Sequence, residues 1–162
     1  MIRSLAIVAT LALAAAPLAA QDNGIPFQGI GGNVTLKDAP RGVLVHIEAS
    51  GLTPGWHAIH FHAKADCSDP TFTSAGGHVH DAAVTAPVHG LLNAAANDKG
   101  DLPNIHAGAD GKATAEVFTA LTTMKELRDA DGSALIVHAS PDDYATQPIG
   151  GAGARVGCAA IR

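Results

Sequence analysis

Apolar and polar positions along most of this chain exchange in short runs at strand spacing. Val43, Val45 and Ile47 alternate with Leu44, His46 and Glu48, and Ala115 and Val117 flank Glu116. A period of two sends alternate side chains to opposite faces of a strand, one toward a core and one toward solvent. Ala134-Leu135-Ile136-Val137 is an unbroken apolar run with β-branched members, which reads as a strand buried on both faces. Turn residues punctuate these runs, as in Gly51-Leu52-Thr53-Pro54-Gly55 and the dipeptide Asp110-Gly111. Long amphipathic helices are absent; the stretch from Ala120 to Arg128 has room for one or two turns. The pattern predicts an all-β domain, a barrel or a sandwich.

Two stretches lack the strand pattern. Ala63 to Pro103 spans about 40 residues, and a loop that long in one domain is functional or disordered. Its cysteine and histidines favour an ordered, functional loop. The second, Ala139 to Ala154, is rich in Gly, Pro and Asp. No repeat and no linker divides the chain.

The N-terminus departs from everything after it. Met1-Ile2-Arg3 is a short basic start, Leu5 to Ala16 is apolar or small apart from Thr10, and Pro17-Leu18-Ala19-Ala20 closes in small residues. This is the layout of a secretory signal peptide, too short to span a membrane. We expect a leader over residues 1–20 and a single domain over 21–162. The leader contains one charged residue, Arg3, so its removal leaves nine basic against 15 acidic residues and moves the formal charge from -5 to -6. That balance argues against nucleic acid and an acidic membrane surface as partners.

Export bears on Cys67 and Cys158, the two cysteines of the chain. In an exported protein an even pair reads as a disulfide, here closing a loop of roughly 90 residues. Two thiolate metal ligands are the alternative, although neither cysteine has a Cys-x-x-Cys partner.

The chemistry concentrates in the histidines. Six of the nine lie between His57 and His89. His60 and His62 share one face of any strand that contains them. Imidazole is the commonest protein ligand for copper, zinc, iron and nickel, and with no set of soft ligands nearby the pattern favours Cu(II) or Zn(II). His138 ends the 134–137 run. His78, His80 and His89 belong to the long loop, followed by Asp98 and Asp101.

These residues stand in a recognisable order. Gly55-x-His57-x-x-His60-x-His62, Asp66-Cys67-Ser68, Ser74-Ala75-Gly76-Gly77-His78 and Gly100-Asp101-Leu102-Pro103-Asn104 come first. Leu135-Ile136-Val137-His138-Ala139-x-x-Asp142-Asp143-Tyr144 and Gly153-Ala154-Arg155-Val156-Gly157-Cys158 follow. The series resembles the copper–zinc superoxide dismutase family in its bacterial periplasmic form, and it covers nearly all of the chain after the leader.

The resemblance implies an eight-stranded Greek-key β-barrel of immunoglobulin-like sandwich type, carrying two long functional loops. It implies copper on His60, His62, His78 and His138, with His78 bridging to zinc, and zinc on His89 and Asp101. Asp142 would orient a copper histidine and a zinc histidine together. Arg155 would hold the superoxide anion and His78 would carry a proton, the two catalytic roles. Lys125 and Arg128 would assist in drawing the anion in, and Cys67–Cys158 would be a disulfide. The implied activity converts superoxide to dioxygen and hydrogen peroxide in the periplasm, in a monomer or a homodimer. A metal-storing or metal-delivering relative is the competing expectation.

One departure concerns zinc. The family has a histidine three residues before the zinc aspartate, where this chain has Asp98, and the interval from His78 to His89 is longer than usual. Three arrangements follow: Asp98 completes the zinc site, His80 swings in as a third nitrogen, or zinc is weak or absent. Outside the site, His57 is expected to be a structural hydrogen-bonding residue, and His46 and His106 to face solvent. Asp143 and Tyr144 are expected to cap and pack a loop. Trp56 is expected to cover part of the barrel or a subunit contact.

Overall fold

The computed structural model describes residues 24–162, so the expected leader and its cleavage point lie outside the described residues. Among the described residues nine strands appear in chain order. β1 is Ile25–Pro26, β2 Gly31–Ala39, β3 Gly42–Ser50, β4 Gly55–His57 and β5 Ile59–His62. They are followed by β6 Ile105–Ala107, β7 Ala113–Thr119, β8 Ser133–His138 and β9 Arg155–Ile161. A single-turn 3-10 helix over Thr73–Ala75 and one helix, α1 over Met124–Leu127, are the helical elements among the described residues.

The alternation in 43–48 is realised in β3: Val43, Val45 and Ile47 are fully buried, while Glu48 is exposed. β2 and β7 pair antiparallel with β3 on either side, Val45 standing opposite Leu36 and Val117. The expected turn of helix in 120–128 is α1, started by a capping box in which Thr123 and Glu126 satisfy each other's backbone N–H groups.

Pairing is antiparallel throughout, in three sheets ordered β1-β2-β3-β7, β4-β6 and β5-β8-β9. β3 pairs with β7 across three intervening strands, a Greek-key-like return. The sheets surround one core that includes Ile47, Ile59, Phe61, Leu102, Leu135 and Ile161. Gln28 and Cys158 exchange backbone hydrogen bonds of 2.8 and 3.0 Å, and β6 turns into β7 through a Gly108 N–H to Lys112 C=O bond of 2.8 Å. The all-β class is as expected. The antiparallel, Greek-key-like arrangement is also as expected, and among the described residues the strands fall in three sheets without one continuous closed ladder.

β5 and β8 position the site. Ile59 and Phe61 enter the core, so His60 and His62 take the opposite, outer face of β5. In β8, Leu135 and Val137 enter the core, while Ala134 and Ile136 face outward with His138. The register sets His60 beside Ile136 and His62 beside Ala134. Both strands are nevertheless buried on both faces, because the long loop covers the outer one. Cys67, Phe72 and Ala75 from that loop pack on Ala134, Ile136 and Cys158 in a second, smaller apolar cluster. The Cys67–Cys158 disulfide, closing a sequence separation of 91 with Cα atoms 5.9 Å apart, fastens the cover to β9. The thiolate-ligand alternative is thereby removed.

Candidate metal centre

The long loop also closes the free edge of β5. Val79 N–H donates to Phe61 C=O, Ala63 N–H to Gly77 C=O and Phe61 N–H to Gly100 C=O, each at 2.9 Å. These bonds set His78 beside His62 and Asp101 beside His60 as isolated bridges. Gly100 is required at this contact by space alone: a Cβ there would lie 2.3 Å from the Phe61 carbonyl oxygen and 3.1 Å from the His78 Cβ. The close return brings residues 16 to 39 positions beyond β5 onto its histidines.

Hydrogen bonds decide which nitrogen of each ring is free. His60 Nε2 lies 2.8 Å from the Asp142 carboxylate and therefore carries the proton, leaving Nδ1 a bare lone pair. His62 Nδ1 donates to Gly76 C=O at 2.8 Å, leaving Nε2 bare. His138 Nδ1 donates to Gly153 C=O at 3.2 Å, leaving Nε2 bare. His60 Nδ1 and His138 Nε2 then face each other at 3.2 Å with no proton between them. Two lone pairs at that distance repel unless a cation lies between, and ligand nitrogens about 2.0–2.1 Å from one metal are spaced in this way. His62 Nε2 and His78 Nε2 are buried with no hydrogen-bond partner. An uncompensated polar atom is costly inside a protein, and here two of them converge with His60 within 4.8 Å. The donor set fits a nitrogen-ligated metal ion.

A second cluster adjoins the first through His78. Its Nδ1 lies 2.9 Å from Asp98 and 3.3 Å from Asp101. His89 Nδ1 lies 2.6 Å from Asp101. The ligand atoms of His78, His89, Asp98 and Asp101 all lie within 4.8 Å of one another, and all four residues are buried. Each carboxylate has one oxygen engaged by backbone, Asp98 Oδ1 by Gly100 N–H at 2.9 Å and Asp101 Oδ2 by Gly90 N–H at 2.7 Å. One oxygen of each remains for the common point, so the set offers two nitrogens and two oxygens, a composition suited to tetrahedral zinc. His80 is not in this cluster. Its Nδ1 donates to the His78 carbonyl at 2.9 Å and its ring is exposed.

Asp142 joins the halves. It is buried and accepts from His60 Nε2 at 2.8 Å and from His89 Nε2 at 3.1 Å. Asn104 holds Asp142 in turn, accepting its N–H and donating to its C=O, both at 2.9 Å. Asn104 stood in a recognised motif without an assigned role, and its partner lies 38 residues away.

The halves differ in protonation in the metal-free chain. Burial pushes His62 down to about 2, with the His78 charge adding to it. Burial takes His138 to about 3, repulsion against any proton on His60 adding to it, and burial lowers His60 despite Asp142. These three rings are neutral, with lone pairs available. On the other side burial also acts against the charged form of His89, but hydrogen bonds to Asp101 and Asp142 outweigh it and raise the ring to about 10. His78 is raised in the same way, burial being overcome by Asp101 and Asp98. Asp142 and Asp101 sit well below the usual carboxylate range, since the N–H donors around them overcome the burial that would raise them.

Arg155 opens from β9 toward the first cluster. Its guanidinium donates to Phe72 C=O at 2.5 Å and Gly76 C=O at 2.7 Å, and the Gly76 carbonyl also orients His62. A cavity of about 510 Å³ is lined by His62, Gly76, His78, Asp98, Pro148 and Arg155 among others. Lys125 lines a different cavity, of about 520 Å³, beside Lys99, Glu126 and Asp129, and Arg128 caps the end of α1. The expected contribution of these two cations at the Arg155 cavity is therefore not seen in the lining.

The remaining sequence-predicted residues lie outside the two clusters. His57 is buried, its Nδ1 2.7 Å from His138 C=O and its Nε2 2.8 Å from Thr53 C=O. His106 is exposed and His46 lies on the outer face of β3. Asp143 accepts from Ala145 and Thr146 N–H groups, and the Tyr144 hydroxyl accepts from Asn104 N–H at 2.7 Å. Trp56 is 57% exposed and meets His106 edge-on.

Comparison with known proteins agrees with this geometry. A profile of the copper/zinc superoxide dismutase family matches residues 30–161. The chain is 61% identical to the Cu-Zn superoxide dismutase of Caulobacter vibrioides, over 81% of this chain and 78% of that protein. It is 34% identical to the Cu-Zn superoxide dismutase of Escherichia coli, over 98% of each. Among solved structures, a double mutant of a superoxide dismutase-like protein from Bacillus subtilis superposes with a TM-score of 0.77 at 36% identity, over 86% of this chain and 96% of that one. The Cu/Zn superoxide dismutase from Brucella abortus superposes with a TM-score of 0.68 at 28% identity, over 85% and 97%. With a profile spanning nearly all the described residues and relatives matched along most of their length, this chain belongs to the copper/zinc superoxide dismutase family.

Proposed function

We propose that the chain is an exported superoxide dismutase that converts two superoxide anions and two protons to dioxygen and hydrogen peroxide in the periplasm. His60 Nδ1, His62 Nε2, His78 Nε2 and His138 Nε2 would hold copper. His78 Nδ1, His89, Asp98 and Asp101 would hold zinc, with His78 shared and no part for His80. The observation that carries the reading is the group of four ring nitrogens left over once the other nitrogen of each of these rings is hydrogen-bonded to a carboxylate or a backbone carbonyl.

Copper supplies two accessible oxidation states, so that superoxide is oxidised in one half-reaction and reduced in the other. The chain's residues do the rest. Arg155, fixed by two backbone carbonyls, presents a cation with forked donors beside His62 and orients the small anion. The chain is acidic overall, so attraction must be local, and Arg155 provides it. His78 Nε2 is buried and without a protein partner, which suits it to hold the proton passed to peroxide. The cover formed by residues 63–104 keeps bulk water off the rings. Residues 1–20 support export, with the mature chain starting after Ala20, and the disulfide is consistent with an oxidising compartment.

A superoxide-removal assay on copper-loaded protein tests the reading, with Arg155→Ala and His62→Ala alongside. Activity above that of free copper is expected, lowered in Arg155→Ala with copper retained and lost with copper in His62→Ala. Copper-replete protein no more active than free copper would overturn it and leave metal storage or delivery as the function.

A further inference from the structure

We propose that the side-chain amide of Gln147 is a positioning group for His89, and that it sets zinc affinity separately from copper affinity. The inference rests on the zinc reading above.

His89 lies in the long loop, where no strand ladder serves its backbone. Buried peptide N–H and C=O groups need partners, and Gln147 supplies both. Its Oε1 accepts from His89 N–H at 2.9 Å, and its Nε2 donates to His89 C=O at 2.8 Å. A primary amide carries the donor and acceptor of a peptide group, so Gln147 stands where a neighbouring strand would. The amide is itself fixed by a 3.0 Å bond from Nε2 to Ala145 C=O. Asn93 also reaches the His89 carbonyl, at 3.3 Å, but the N–H depends on Gln147. The same construction holds Asp142 through Asn104.

The copper-side rings are supported differently. His60 and His62 draw backbone support from the β5–β8 ladder, and His138 from Ala58. None of them touches Gln147. The amide joins residues 58 apart, fastening the 139–154 loop over His89. Ligand placement must hold to about 0.5 Å for a metal site to keep its affinity. His89 Nδ1 is aimed by Asp101 and Asp142 at the ring and by Gln147 at the backbone. Gln147 itself is exposed, so its replacement leaves the core intact.

The test measures Zn²⁺ and Cu²⁺ affinities by chelator competition in parent, Gln147→Ala and Gln147→Met. Cobalt(II) absorption in the zinc position and hydrogen exchange of the His89 amide are read alongside. Methionine keeps the length of glutamine and removes both hydrogen bonds. Both variants should bind Zn²⁺ about ten-fold more weakly, the loss of two neutral hydrogen bonds at a partly solvated site. Copper affinity should stay within about two-fold, the cobalt band should shift, and His89 should exchange faster. Zinc affinity unchanged in both variants, or restored by methionine, would overturn the inference and leave the zinc reading standing. An equal loss of copper would overturn the claimed separation. Failure of the parent to retain zinc would remove the zinc reading itself, and the inference with it.

Discussion

Replacing Asp142 with asparagine separates the two metals. Asp142 Oδ1 accepts from Tyr144 N–H at 2.6 Å and from His89 Nε2 at 3.1 Å, while Oδ2 accepts from His60 Nε2 at 2.8 Å. Asparagine has the same shape but one acceptor and one donor. The amide oxygen is favoured at the Oδ1 position, which serves two N–H groups, so the NH₂ group faces His60. Two donors then oppose each other. His60 escapes only by moving its proton to Nδ1, the nitrogen that would bind copper. The lost charge-assisted bond is worth about 1.5–3 kcal/mol, and loss of such an orienting partner costs about 10–100-fold in metal affinity. Copper affinity in Asp142→Asn should fall by that factor. Zinc affinity should fall by less than about ten-fold, since His89 keeps an acceptor. Asp142→Ala removes both acceptors and should weaken both metals. Chelator competition with each metal in turn measures this. Copper binding within three-fold of the parent, or a larger loss of zinc than of copper, would refute the tautomer argument.

Three further outcomes are expected. Gly100→Ala drives a methyl into the Phe61 carbonyl and the His78 side chain, so denaturant unfolding should show a loss of about 1–3 kcal/mol, with both metals held more weakly. Replacing Cys67 and Cys158 together by serine releases a 91-residue closure, and oxidised parent should exceed the double variant by about 4–5 kcal/mol in the same measurement. Zinc uptake by the metal-free chain must displace a proton from His89, which is raised to about 10. Below that value zinc affinity should therefore strengthen as pH rises, by about ten-fold per unit for each proton released, and calorimetry in buffers of different ionisation enthalpy should register the release.

Strand periodicity carried much of the fold. Val43 to Glu48 alternates because one face of β3 meets the core, and that is a local property written at i and i+2. The same rule placed His60 and His62 together. It did not say that their face is the outer one, nor that a loop covers it. The run 134–137 is apolar throughout because the loop residues Cys67, Phe72 and Ala75 bury its second face. The strand breaks at Ala58 and Gln28 were not legible either, since no residue type marks them.

The sequence by itself determined the candidate ligand types, the paired histidines of β5, the cysteine pair and the unusual carboxylate at 98, because these are matters of residue identity, short spacing and motif order. The tertiary structure favours Asp98 over His80 as the proposed zinc ligand, since His80 is paired with the His78 carbonyl and Asp98 is held inward by Gly100. It also decided which ring nitrogens stay bare, and it recruited Asn104 and Gln147, whose partners lie 38 and 58 residues away. A side-chain amide has no periodic signature. Its role arises only where folding brings it against a backbone that no strand serves.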